Sequence, residues 1–205
     1  MPIKKLSLLL VLLFSFAIVF AQKVDTIVNK EAYLSYYSYT VKNPLYVVYH
    51  LYQGGGDCSR KGMNFIADSG TATNADYKRQ GFDKGHLANA EDFAYDCDKE
   101  LSTFSYYNCF PQTPRLNRGI WKVWETKIRH ESHYNHLKII CGGIFSDSTF
   151  IGNRVGVPNY CWKIVMNEDT DELLHCMIYP NDNSNTYEDI SLDELQNRLG
   201  YTLSY

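Results

Sequence analysis

Four segments rich in β-branched and aromatic residues recur along the chain, and they limit what it can fold into. They are Pro44–Gln53, Leu137–Phe145, Tyr160–Met166 and Leu173–Pro180. Such segments, bounded by turn residues, are typical of β-strands. The last two flank the polar sequence NEDTDE, which predicts an antiparallel hairpin.

Helical patterns occupy two other stretches. One lies in Leu116–Ser132, and the other in Ser191–Gly200, where Ser191 and Glu194 form a capping-box signature and Gly200 a stop. Strands and helices in this irregular order favour an α+β fold over a regularly alternating α/β fold. We therefore expect a mainly antiparallel sheet core flanked by helices.

The amino-terminal segment predicts a secretory signal peptide. Two lysines precede a long apolar run, and the small Ala21 stands before the expected cleavage point. The alternative is a membrane anchor, but the apolar run Leu8–Phe20 is shorter than the roughly 20 residues of a spanning helix. We expect a signal peptide at residues 1–21, a single domain at 22–205, a secreted or periplasmic location, and no stable membrane association.

Charge and cysteine content narrow the class of protein. The formal net charge of −3 does not favour binding of nucleic acid by overall charge, although a local cationic cleft can bind phosphates on such a protein. An even number of cysteines, six, favours disulfides in an exported chain. The connectivity stays open; a bond between Cys97 and Cys109 would close a short loop downstream of His86.

The segment GFDKGHLANAEDF, Gly81 to Phe93, is the strongest candidate for chemistry. His86 lies there among glycines and charged residues. The downstream segment Asn108–Arg129 supplies amides, one acid and several bases, with few hydroxyl nucleophiles. This mixture suits a site that handles anions with a metal ion.

Three sequence blocks resemble those of the DNA/RNA non-specific endonucleases, a family of the ββα-metal (His-Me finger) superfamily. DKGH at Asp83–His86 is similar to the D-R-G-H signature, and NCFPQ at Asn108–Gln112 to N-x-x-P-Q. LNRGIWKVWE at Leu116–Glu125 is similar to L-N-x-G-x-W followed by a glutamate. The similarity spans about Pro44 to Met166, and it implies the ββα-metal nuclease fold.

The resemblance implies roles for individual residues. His86 would be the general base, since a neutral imidazole takes a proton from water at neutral pH. Asn117 would be the protein ligand of a divalent ion, Mg²⁺ or else Mn²⁺ or another divalent cation. Glu125 would orient metal-bound water, and Asn108 would support the geometry of the site.

Arg60, Lys84 and Arg129 match positions where the family has cationic residues near the scissile phosphate. Lys84 also stands within the catalytic signature, where the family usually has arginine. A lysine keeps the charge but loses the bidentate fork, so we expect a larger effect on rate than on binding. Asn89 replaces a usual proline, and we expect it to change loop stiffness rather than chemistry.

The sequence therefore predicts a metal-dependent nuclease that cleaves DNA and RNA with little sequence preference. One alternative is an exported, catalytically weak protein that binds polyanions on the same scaffold. Another is a zinc-dependent hydrolase that uses His130, His133 and His136, whose spacing of three residues on a helix would bring neighbours within reach of one metal. The sequence does not indicate an oligomeric state.

Overall fold

The structure is a computed structural model, and it describes residues 22–146, 149–201 and 203. The predicted signal peptide, residues 1–21, lies outside the described residues. Among the helices that are described, none combines the length and the apolar character needed to cross a membrane.

The described residues contain eleven strands and five α-helices. The strands are β1 Thr26–Lys30, β2 Tyr33–Ser38, β3 Asn43–Leu51, β4 Asp83–His86, β5 Cys109–Gln112, β6 Leu137–Ile144, β7 Phe150–Ile151, β8 Val155–Gly156, β9 Tyr160–Asn167, β10 Glu172–Pro180 and β11 Glu188–Asp189. The helices are α1 Asn74–Tyr77, α2 Cys97–Ser102, α3 Pro114–Leu116, α4 Lys122–Glu131 and α5 Leu192–Leu199, with a 3₁₀ turn at Ala90–Phe93 and a π turn at Asn117–Trp121.

A seven-stranded antiparallel sheet in the order β1-β2-β3-β6-β9-β10-β11 forms the centre of the fold. Its four adjacent strands β3, β6, β9 and β10 correspond to the four segments predicted from sequence. The predicted hairpin is also confirmed, since β9 and β10 pair antiparallel around the NEDTDE turn. These findings confirm the α+β class with a mainly antiparallel sheet.

The sheet buries side chains on both faces, because alternate residues of a strand point to opposite sides. In β9, Cys161 and Val165 belong to one core cluster, and Trp162 and Ile164 to another. Helix α5 covers the second face. Its predicted ends are confirmed: the Ser191 hydroxyl accepts the amide of Glu194 at 3.1 Å, and Gly200 adopts a φ of 73°.

The first face carries the remaining helices and a two-stranded ribbon of β4 and β5. Leu87, Phe110, Trp121, Trp124 and Ile128 pack into the same core cluster as the sheet residues beneath them. The ribbon and helix α4 are therefore anchored on one rigid platform, and this arrangement positions the three sequence blocks described above.

A π turn interrupts the helical stretch predicted at Leu116–Ser132. Gly119 has φ −104° and ψ −119°, outside helical values. The carboxamide oxygen of Asn185 accepts the amide of Ile120 at 2.7 Å, and a Cβ at residue 119 would lie 2.0 Å from that oxygen. A distant loop thus fixes the turn and requires glycine there.

The possible bond between Cys97 and Cys109 is wrong. Cys97 bonds Cys58, 39 positions earlier, on the surface beside α2. Cys109 lies in β5 opposite His86 and is buried, as are the other three free thiols, at Cys141, Cys161 and Cys176. Burial in the core separates these side chains from the exposed Cys97, so one disulfide forms rather than the three that six cysteines allow.

Candidate active site

The ribbon and helix α4 bring the predicted site residues together around one cleft of about 560 Å³. Predicted residues in its lining are Arg60, Lys84, His86, Asn117, Glu125 and Arg129. Asn89, Glu91, Arg118, Lys122 and Thr126 complete the lining. Asn108 is the only predicted site residue that does not line the cleft. Arg118, Lys122, Glu125 and Arg129 therefore face the same cleft.

His86 ends strand β4 with its ring held by aromatic side chains. The ring centroids of Phe65 and Phe104 lie 4.8 and 4.9 Å from that of the imidazole. Its Nε2 is buried and has no hydrogen-bond partner among the described residues. Burial, together with the positive charges of Arg60 and Lys84, lowers the pKa of His86 from 6.5 to about 3. The imidazole is therefore neutral at physiological pH, and His86 lines the cleft.

Asn108 lies beneath His86 and is fully buried. Its Oδ1 accepts the amide of Ala88 at 2.8 Å, and its Nδ2 donates to the carbonyls of Ala88 at 2.8 Å and Thr103 at 2.9 Å. Its own carbonyl accepts the amide of Leu87 at 2.9 Å. Asn108 thus clamps the backbone that directly follows His86.

The ribbon itself depends on a glycine beside His86. Gly85 pairs with Phe110, and a Cβ at residue 85 would lie 1.8 Å from Oε1 of the buried Gln112. Real Cβ atoms do not approach that closely, so any larger residue would displace Gln112 or the strand. The second glycine-dependent position of the site is Gly119, in the π turn.

Asp83 joins the first and third sequence blocks. Its carboxylate accepts two hydrogen bonds from the Arg118 guanidinium, at 2.8 and 2.6 Å, and one from Nδ2 of Asn117 at 2.9 Å. Burial acts to raise the pKa of Asp83, but these donors outweigh it and lower the pKa below its usual range. The carboxylate therefore stays ionised and fixes the orientation of the Asn117 amide.

The orientation of Asn117 suits a hard divalent cation. Because Nδ2 donates to Asp83, the amide oxygen is the atom left for other partners. Among the described residues, no group of three or more His, Cys, Asp or Glu side chains could hold a metal ion. One amide oxygen still fits Mg²⁺, which keeps several waters and takes its remaining ligands from a phosphate. The residues present therefore fit the cation that the resemblance implies.

Glu125 and Arg129 lie one turn apart on α4, and both are largely buried. Burial raises the pKa of Glu125, whereas the charge of Lys163 and a hydrogen bond with Asn89 lower it. Arg129 donates to Oδ1 of Asp92 at 2.8 Å and is 17% exposed. Asp92 also accepts the hydroxyl of Tyr49 at 3.0 Å. The helix pair Glu125 and Arg129 is thus part of a buried network rather than a surface ion pair.

Two further cationic side chains are held at the rim of the cleft. Arg60 forms ion pairs with Glu91 and with the buried Glu100, the latter at 3.3 Å. Lys84 donates to Oδ1 of Asn74 at 2.6 Å, and its Nζ lies 4.9 Å from the centroid of the Phe65 ring. These contacts orient both side chains while leaving them in the cleft wall.

Asn89, expected to change loop stiffness rather than chemistry, makes side-chain contacts at the cleft that a proline could not make. Its Oδ1 accepts Nη2 of Arg129 at 3.0 Å and the amide of Glu91 at 2.8 Å, and it also hydrogen-bonds Glu125. Asn89 and Asp83 are among the polar residues at the site to which the sequence analysis assigned no role in the reaction. Both lie in the segment Gly81–Phe93, three residues before and three residues after His86, and that proximity was the available signal.

The geometry does not support a zinc site at the three spaced histidines. Helix α4 ends at Glu131, so His133 and His136 do not continue its spacing. His136 instead contacts Asp169 at 3.1 Å, and the rings of His130 and His133 are 6.4 Å apart. The three-residue spacing would bring the histidines together only on a continuous helix, and α4 ends before His133.

Comparison with known proteins agrees with these observations. A family model described as DNA/RNA non-specific endonuclease matches residues 15–204. Mitochondrial endonuclease G of Bos taurus is 29% identical over 185 residues, which cover 80% of this chain and 62% of that protein. A nuclease of Nostoc sp. is 30% identical over 140 residues, covering 61% of this chain and 51% of that protein. The chain thus spans about 62% of the length of the endonuclease G relative.

A solved structure, that of the EndoG/EndoGI complex, shares the fold. The match has a TM-score of 0.76 at 22% identity and covers 86% of this chain and 84% of that one. This similarity confirms the ββα-metal nuclease fold that the motifs implied.

The expected secreted or periplasmic location is wrong by the same comparisons. The relatives include mitochondrial nucleases of Bos taurus, Homo sapiens, Saccharomyces cerevisiae and Schizosaccharomyces pombe, beside the Nostoc nuclease. The expectation depended only on residues 1–21. Because the family model spans nearly the whole chain, and two motif blocks line one cleft while the third pairs with the strand that carries His86, the protein belongs to the DNA/RNA non-specific endonuclease family.

Proposed function

We propose that residues 22–205 act as one endonuclease domain that hydrolyses phosphodiester bonds of DNA and RNA with a divalent ion. The observation that carries the proposal is that His86, neutral and with an Nε2 that has no hydrogen-bond partner among the described residues, lines the same cleft as the oriented amide of Asn117. A base and a cation ligand on one cleft wall are the two requirements for activating water at a phosphate.

His86 supplies the base. Its Nε2 takes a proton from a water molecule, the water oxygen attacks phosphorus, and the bond from phosphorus to the departing ribose or deoxyribose oxygen breaks as that oxygen takes a proton from a second water molecule. The imidazolium then returns the proton to solvent. Phe65 and Phe104 hold the ring, and Asn108 holds the backbone that follows it. The base is thereby fixed before substrate arrives, which lowers the entropic cost of the reaction.

Asn117 Oδ1 is the protein ligand in this proposal, for Mg²⁺ or else Mn²⁺ or another divalent ion. When bound, the ion supplies positive charge that offsets the charge growing on phosphorus and on the departing oxygen. Asp83 holds the amide in the orientation that this role requires. Glu125 accepts hydrogen bonds from water in the cleft and orients it.

Arg60, Lys84 and Arg129 bind the substrate backbone through phosphate oxygens. Contacts of this kind carry no information about base sequence, which supports low sequence preference. They also do not depend on the sugar, which supports action on both DNA and RNA. Lys84 holds a phosphate as a point charge, so we expect Lys84→Arg to raise the rate more than the affinity.

The test is hydrolysis of supercoiled plasmid and of single-stranded RNA, with Mg²⁺ and with EDTA. His86→Ala is the test variant. His50→Ala is a matched control, because His50 is an exposed histidine paired with Glu168 outside the cleft. We expect loss of cleavage in EDTA and with His86→Ala, and unchanged cleavage with His50→Ala. Undiminished cleavage by folded His86→Ala would contradict the proposal.

The replacement of arginine by Lys84 favours a second function, binding of polyanions without turnover. In that case folded protein would bind nucleic acid with affinity that falls steeply with salt, and no product would form with any divalent ion. The same assay, followed by a binding measurement at two salt concentrations, separates the two functions.

A further inference from the structure

Lys163 is a lysine in the middle of the core. It lies in β9, in the apolar sequence YCWKIVM, and its side chain is fully buried. Its Nζ has no hydrogen-bond partner among the described residues and lies 4.2 Å from the centroid of the Trp121 ring. Lysines are almost never fully buried unless a charge partner offsets the loss of water.

The position of Lys163 in the sheet places it beneath the site. It pairs with Cys141 of β6 and Met177 of β10, both in the core cluster on the face that carries the ribbon and α4. The thiol of Cys141 donates to the carbonyl of Leu87, next to His86, at 3.2 Å. Trp121 ends the π turn that starts at Asn117. The amino group therefore lies under elements of both the ribbon and the π turn.

Two buried carboxylates and two cationic side chains lie around this position. Asp92 is 1% exposed and is paired with Arg129 at 2.8 Å. Glu125, 8% exposed, forms no such ion pair with the described residues. Lys163 is the one fully buried lysine or arginine among the described residues, and Arg129, the other cation that acts on Glu125, is already paired with Asp92. A buried carboxylate without such compensation carries a large free-energy cost.

We propose that Lys163 is a positioning residue of the reaction, which holds the Glu125 carboxylate in its place at the cleft from the sheet side. The proposal rests on the nuclease function proposed above. Lys163 does not line the cleft and does not touch substrate. It acts through the charge and orientation of Glu125, in a region of low dielectric where such a field is strong.

The electrostatic surroundings agree with this assignment. Burial raises the pKa of Glu125, and the charge of Lys163 is the strongest influence in the opposite direction. The other groups that face Glu125 are Asn89 and Arg129, which lower its pKa, and Asp92, which raises it. The groups that face Lys163 are Glu125, Asp92 and the thiols of Cys141 and Cys161.

The first experiment compares Lys163→Met with wild type, using plasmid hydrolysis in Mg²⁺ across pH together with thermal unfolding. We expect kcat at neutral pH to fall by about tenfold and KM to stay within about twofold, because substrate contacts are intact. We also expect the acidic limb of kcat against pH to move to higher pH, because the loss of the Lys163 charge raises the pKa of Glu125 further. Val165→Ala, a packing change on the same strand and face, should lower Tm without moving the limb.

A loss of activity that follows only the loss of folded protein, with an unmoved acidic limb, would overturn the proposal. The second experiment does not depend on activity. It is a double-variant cycle of unfolding free energy with Lys163→Met and Glu125→Gln. The proposal predicts that Glu125→Gln restores part of the stability lost in Lys163→Met, because it removes the charge left without compensation.

Additive effects in this cycle would contradict the proposal. If Lys163→Met does not fold, the double variant decides: a folded double variant supports the coupling, and an unfolded one overturns it. If wild type cleaves no nucleic acid, the nuclease function fails and with it the role of Lys163 in the reaction. The charge coupling between Lys163 and Glu125 is then tested on its own by the cycle.

Discussion

Replacement of Asn108 by leucine should damage both stability and catalysis. The buried carboxamide makes three hydrogen bonds to backbone groups, at 2.8, 2.8 and 2.9 Å. Each is worth about 1 kcal/mol net, and leucine also leaves three buried backbone groups without partners. We expect Asn108→Leu to lower the free energy of unfolding by about 3 to 5 kcal/mol, which corresponds to roughly 10 °C in Tm.

The catalytic effect follows from what those bonds hold. Two of them fix Ala88, two residues after His86, so the variant releases the backbone that places the imidazole. A displacement of about 1 Å in a catalytic group can cost about 100-fold in rate. We expect a loss of that order in kcat for plasmid cleavage, measured at a temperature where circular dichroism shows the variant to be folded.

Asn43→Leu is the matched control. Asn43 is equally buried, and its Nδ2 donates to the carbonyls of Val41 at 2.9 Å and Gly156 at 2.8 Å, away from the cleft. It should lose about 2 kcal/mol of stability and keep the kcat of the wild type. If folded Asn108→Leu cleaves as fast as folded Asn43→Leu, the clamp on His86 is not catalytically important and the reasoning is refuted.

Three further predictions concern pH, orientation of the metal ligand and the disulfide. Because burial lowers the pKa of His86 to about 3, protonation of His86 should not halve kcat/KM near pH 6.5, and titration of the His86 ring near that pH in an NMR experiment would contradict the neutral buried ring. The unfolded chain binds this proton below about pH 6.5, whereas the folded chain binds it only below about pH 3. The free energy of unfolding should therefore decrease as the pH is lowered from about 6.5 to about 3, and it should decrease less in His86→Asn. Asp83→Asn should raise the Mg²⁺ concentration for half-maximal activity by about tenfold or more, whereas Arg118→Met, which keeps the Asp83 contact with Asn117, should leave it near wild type. Paired Cys58→Ser and Cys97→Ser substitutions open a loop of 39 positions and should cost about 4 kcal/mol in urea unfolding, and an unchanged unfolding midpoint would show that the loop is constrained by other contacts.

The central strands could be predicted from sequence because they are buried on both faces. β3, β6, β9 and β10 are long and almost continuously apolar, so their composition alone identifies them. Strands β7 and β8 have only two residues each, too few to show an alternation of apolar and polar residues. The break at Gly119 could not be predicted either, because Asn185, 65 positions from Ile120, imposes it.

At the site, too, local sequence patterns were predictive and contacts between distant residues were not. The motif blocks and the family positions outside them predicted part of the cleft wall, including Glu125 and Arg129 on α4. Sequence could not supply the partners of those residues, since Asp83 reaches Asn117 across 34 positions and Asn89 reaches Arg129 across 40. The pKa of His86 also depends on Phe65 and Phe104, which lie in loops that local patterns do not connect to it.

The contact of Asp83 with Asn117 and Arg118 has a consequence for recombination between relatives. A chimera whose crossover falls between these positions inherits the carboxylate from one parent and its donors from the other. Where the parents differ at these positions, such a chimera should fold on the common sheet, because the ion pair with Arg118 is exposed and contributes little to stability. The chimera would nevertheless orient the Asn117 side-chain amide poorly, because its contact with Asp83 is lost. Crossovers outside residues 83–118 keep the two blocks together, so exchanges there should preserve cleavage more often.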